Sequence, residues 1–135
     1  MADRSGRRTL NQLVATVVGA AFVLAGLAGF LVTESFVGQE GDSLLGFQVN
    51  GLHNVVHLLI GLALLVGART LATARTANLV IGTTYLALAV LGPFLTGTDA
   101  NIIALNSADH VLHLLSGGLL AGVGAFADKH ARTRA

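Results

Sequence analysis

The chain has no cysteine. That excludes disulfides, thiolate metal sites, cysteine nucleophiles and covalent c-type haem attachment, and it leaves the redox compartment unreadable. There is no tryptophan and one tyrosine, so the aromatic belt common at membrane–water interfaces is nearly missing. Charged residues are scarce, 11% against 53% hydrophobic. At a mean hydropathy of +0.74, a chain this short cannot hide so much apolar surface in a core of its own. Lipid removes the need. Catalytic signatures are missing as well: there is no G-x-S-x-G, no H-E-x-x-H, no phosphate loop and no paired-acid arrangement. The basic residues are scattered over three segments, so nucleic acid is not an expected partner.

What is there is four apolar runs, at about 12–33, 49–68, 77–95 and 107–127. A basic segment, 1–11, precedes them and a basic tail, 128–135, follows. About 20 residues per run suits a hydrocarbon layer of about 30 Å. The first run is too long for the apolar part of a signal peptide and reads as a retained anchor. Residues 69–76 read as a short basic turn. Pro93, the only proline, is expected to kink or stop the third run near its end.

The charges then sort by side. Arg4, Arg7, Arg8, Arg69, Arg75, Lys129, Arg132 and Arg134 fall on one side of four spans. Glu34, Glu40, Asp42 and Asp99 fall on the other. This is the positive-inside pattern with both termini cytoplasmic. The expected fold is an all-α, four-helix transmembrane bundle in the plasma membrane, with the lipid bilayer as its first partner. Other membrane proteins or a second copy are further candidates.

Two stretches 56 residues apart share one pattern, N-x-x-(H/D)-(N/H)-x-x-H-L-L-x-G. In the first, Asn50, His53, Asn54, His57 and Gly61 carry it; in the second, Asn106, Asp109, His110, His113 and Gly117. At the same offset Gly26 meets Gly82, so the chain reads as two helix hairpins in tandem. Small residues, including Gly61, Gly117 and the Gly118-x-x-x-Gly122 pair, suit close helix packing.

Each motif places its polar residues on one helical face at the outer end of its span. Polar groups at that depth face the bundle interior or a wet cavity, so the two faces are expected to meet. Three readings fit such a cluster. It binds a transition metal (zinc, copper or iron) or a b-type haem through His53, His57, His110 and His113, with Asn50, Asn54, Asn106 and Asp109 as supporting polar shell. It relays protons or faces a quinone. Or it only locks helix packing, in a structural or accessory subunit. Asp109 doubles as a helix cap, and Tyr85, Thr83 and Thr84 read as packing or interhelical bonds. No residue is nominated as catalytic.

On Asn50, Asn54, His57, Gly61, Asn106, Asp109, His110, His113 and Gly117, the chain resembles an uncharacterised four-helix integral membrane family common in actinobacteria, a domain of unknown function. The resemblance covers about Leu10 to Ala127. It implies the fold and a cell-membrane location, and no activity.

Overall fold

Side-chain caps decide where each helix begins in the computed structural model, which describes residues 6–134. Arg4, counted above among the basic residues, lies outside them. Thr9 and Gln12 form a reciprocal capping box that opens α1 (Leu10–Phe30). Asn50 opens α2 (Gly51–Gly67) and Thr70 opens α3 (Leu71–Leu95), each side chain accepting from a backbone N–H three residues on. Asn106 and Asp109 box the start of α4 (Ser107–Phe126).

Two boundaries differ from the apolar runs. α3 starts at Leu71, six residues before its run: once Thr70 caps it, the stretch Leu71-Ala72-Thr73-Ala74-Arg75-Thr76 is good enough helix former to join. Pro93 does not stop α3, which continues to Leu95. Between α1 and α2 the chain forms a small antiparallel hairpin, β1 (Asp42–Leu44) and β2 (Phe47–Val49). Its turn residues Leu45 and Gly46 both have positive φ, as a tight two-residue hairpin turn requires.

α1 packs chiefly on α2 and α3 on α4, while α2 and α4 have next to no backbone contact. Glycines set the close approaches. A Cβ on Gly61 would stand 2.7 Å from the Gly19 carbonyl, and one on Gly117 3.0 Å from the Gly82 carbonyl. Gly118 and Gly122 do not serve the packing expected of them. They face open space, because the α4 face turned to α3 runs through Gly117 and Gly124 instead.

The burial pattern is inverted relative to a soluble bundle. Asn11, Asn50, Asn54, Asn78, Asn101 and Asp109 are buried, while Leu24, Leu59, Val66, Val90, Leu115 and Phe126 are exposed. α1, α3 and α4 are long and apolar enough to cross a membrane; α2, at 17 residues, is shorter.

Asparagines tie the ends together. At one end the Asp128 carboxylate accepts from the backbone N–H of Asn11 at 2.8 Å and from its side-chain amide at 2.9 Å. Asn78 donates in turn to the Asn11 side-chain carbonyl at 3.0 Å. At the other end, Asn50 donates to the carbonyls of Gly38 and Ile102, drawing the two loops over the starts of α2 and α4. Asn101 clasps Leu105 through both of its backbone groups, and Asn106 reaches the Gly46 carbonyl.

Candidate metal centre

Under those loops, three of the four motif histidines meet. His53 and His57, one turn apart on α2, and His113, in the second turn of α4, bring one ring nitrogen each to within 4.8 Å of the others. The imidazoles span the diagonal that the backbones of α2 and α4 leave open. All three are buried, at 2%, 6% and 2% exposure. Among the described residues no carboxylate joins them.

The hydrogen bonds define the ring chemistry. His53 Nδ1 lies 2.9 Å from the Ile103 carbonyl, which can only accept, so Nδ1 carries the proton. His53 Nε2 is then an acceptor, and His57 Nε2–H donates to it at 3.2 Å. Ligand nitrogens around a tetrahedral ion with bonds of 2.0–2.1 Å stand about 3.3 Å apart, so this pair is already at ligand spacing. A ring nitrogen fixed by a carbonyl while the other faces the ion is the usual outer-shell arrangement of a metal-bound histidine. His113 Nδ1 is buried and has no hydrogen-bond partner. A buried group in that state is costly unless something satisfies it.

Aromatic rings flank the trio. Phe22 of α1 stacks on His57 with centroids 5.3 Å apart, and Tyr85 of α3 lies tilted beside His113 at 4.8 Å. Phe22 and Tyr85 touch edge to face at 5.4 Å, closing one side of the centre. The Tyr85 hydroxyl is buried and unpartnered. Neither ring belongs to a motif. The available signal was an aromatic at the midpoint of each partner helix, which the 56-residue offset does not align.

The remaining motif residues sit elsewhere. His110 turns away from the trio, its Nε2 2.8 Å from the Thr96 hydroxyl and its ring against Gly92. Asn54, at the equivalent place on α2, lies against Gly29 and donates to the Thr33 hydroxyl at 3.3 Å. Asn50, Asn106 and Asp109 are helix caps. Asn50 Oδ1 accepts from the His53 backbone N–H at 2.9 Å, and Asp109 Oδ2 accepts from the Asn106 backbone N–H at 2.9 Å. The hydroxyls of Thr83 and Thr84 donate to carbonyls of their own helix.

Residues 12–126 match the model of a domain of unknown function, DUF4383. No curated protein and no solved structure matches the chain. The chain belongs to the DUF4383 family.

Proposed function

We propose that this member of the DUF4383 family is an integral membrane protein that holds one transition-metal ion between His53, His57 and His113. One observation carries the reading: a carbonyl-locked His53 whose unprotonated Nε2 meets His57 Nε2 at 3.2 Å, with His113 completing a buried trio. Zinc, copper and iron all accept imidazole. The packing alternative accounts for the helix caps and loop ties, which asparagines make, but not for three imidazoles gathered within 4.8 Å of one another. Haem fits less well than an ion, because three ring nitrogens converge within 4.8 Å of one another and leave little room for a macrocycle among them.

The same reading makes the chain two hairpins related by an axis along the membrane normal, both termini cytoplasmic. An even number of spans per unit sets that axis, unlike the inverted repeats of many transporters. The contacts support a repeat with a seven-residue shift in its first helix: Gly19 faces Gly61 as Gly82 faces Gly117, and Phe22 flanks His57 as Tyr85 flanks His113. Gly82 then corresponds to Gly19, not to the Gly26 that a uniform 56-residue offset assigns. The longer first loop, with its hairpin, accounts for the shift.

Protein purified gently in detergent is expected to carry about one ion per chain by metal analysis. The His57→Ala, His113→Ala double variant should lose it while keeping its helical circular dichroism. Metal-free folded protein that takes up no zinc, copper or iron would sink the proposal, and a Soret band would replace the ion by haem. The topology has a separate test. A reporter fused after Arg134 should be active only in the cytoplasm, and its export would overturn both-termini-inside.

A further inference from the structure

We infer that the ion is monovalent copper, held by three imidazoles without an added anion; this rests on the metal reading above and narrows it. The first argument is charge. Three neutral imidazoles offer no negative charge, and among the described residues no carboxylate lies within ligand reach of the trio. The nearest acid along α4, Asp109, is committed elsewhere. It boxes the helix start, accepting from the Asn106 backbone N–H at 2.9 Å. The chain has no cysteine, so no thiolate can bring a compensating negative charge to the ion.

A divalent ion at this place would keep its full double charge. The cost of charging an ion in an apolar medium rises with the square of the charge, so a divalent ion pays about four times the penalty of a monovalent one. With the rings 2–6% exposed and apolar side chains outside them, water is poorly placed to repay that difference.

The second argument is coordination number. Zinc in proteins takes four ligands, and its three-histidine sites complete the set with water or hydroxide. Here one side of the trio is closed by Phe22, stacked on His57, and by Tyr85, tilted beside His113, and the two rings touch each other. Cuprous copper is satisfied by three ligands in a plane. Divalent copper binds nitrogen sites more tightly than the other first-row divalent ions, so it is the demanding control.

The test is an anaerobic titration of the detergent-solubilised full chain with cuprous ion against a chromophoric competitor. Zinc and cupric ion are titrated in parallel at one pH. One cuprous ion per chain is expected, with an affinity at least about 100-fold above that for zinc. The copper K-edge spectrum should read as three-coordinate, and both signals should vanish in the His57→Ala, His113→Ala variant. Zinc or cupric ion binding at the trio as tightly as cuprous ion would overturn the inference and leave the metal centre standing. Failure of all three ions to bind would overturn the centre itself.

Discussion

Replacing His57 or His113 by alanine is expected to weaken metal binding by more than about a thousand-fold, while His110→Ala changes it by less than about two-fold. Losing even an outer-shell partner of a metal ligand typically costs 10–100-fold, and a direct ligand costs more. With three ligands, none is redundant. His110 carries the same chemistry and lies in the same turns of α4, yet its Nε2 is bonded to Thr96 and its ring rests on Gly92. Competition titration of the four single histidine variants, in one detergent and at one pH, ranks them. Equal losses at His110 and His113 would mean that the ligand set is not the trio. The pH dependence has a fixed sign: each ligating imidazole must be neutral, so affinity falls as acid is added.

The second large effect is expected at Asn50. Asn50→Ala removes a helix cap worth about 1 kcal/mol and takes the side-chain donor from two loop carbonyls, of which Ile102 keeps the Gly38 N–H and Gly38 is left with none. Asn50 is fully buried, and an orphaned buried acceptor costs about 1–3 kcal/mol. Together the loss of stability should reach about 2–4 kcal/mol. Asn50→Asp keeps an accepting oxygen for the His53 N–H but loses both donor bonds, and should fall between wild type and alanine. Unfolding in detergent, followed by circular dichroism, gives the comparison. The loop held by Asn50 also presents the Ile103 carbonyl that orients His53. Asn50→Ala should therefore weaken the metal site by about ten-fold as well. An alanine variant as stable as wild type would show that the loops close without it.

The four apolar runs made the helices legible from residues alone, and the duplicated motif brought out the three histidines that meet, His53, His57 and His113. An N-x-x-(H/D) start followed by H-L-L-x-G marks both a cap and an inward face, because the cap fixes where the helix phase begins. The sequence reading counted His110 with the other three, and the structure sets it apart, bonded to Thr96. His53 aligns with Asp109 and His57 with His113, so the fourth imidazole sits where α2 has Asn54, turned toward the neighbouring hairpin helix. What stayed hidden depended on α1 and α3. No polar pattern fixes their register against the motif helices, so the flanking positions of Phe22 and Tyr85 could not be read. Nor could the clasp of Asn11, Asn78 and Asp128, since it joins residues 67 and 117 positions apart. The start of α3 was hidden for a different reason: hydropathy locates an apolar run, not the helix that extends beyond it.

The Asp128 clasp changes how the bundle comes apart. α1 has no acidic residue in its first turn, and the carboxylate at its positive end arrives from beyond the end of α4. First and last helices thus share one ionic stopper, and the bundle is closed into a ring. In an open row of helices each outer member frays alone, at little cost to the rest. In a ring, loosening α4 withdraws the cap of α1, and loosening α1 takes the Asn11 amide from the Ala127 carbonyl, so the two ends fray together.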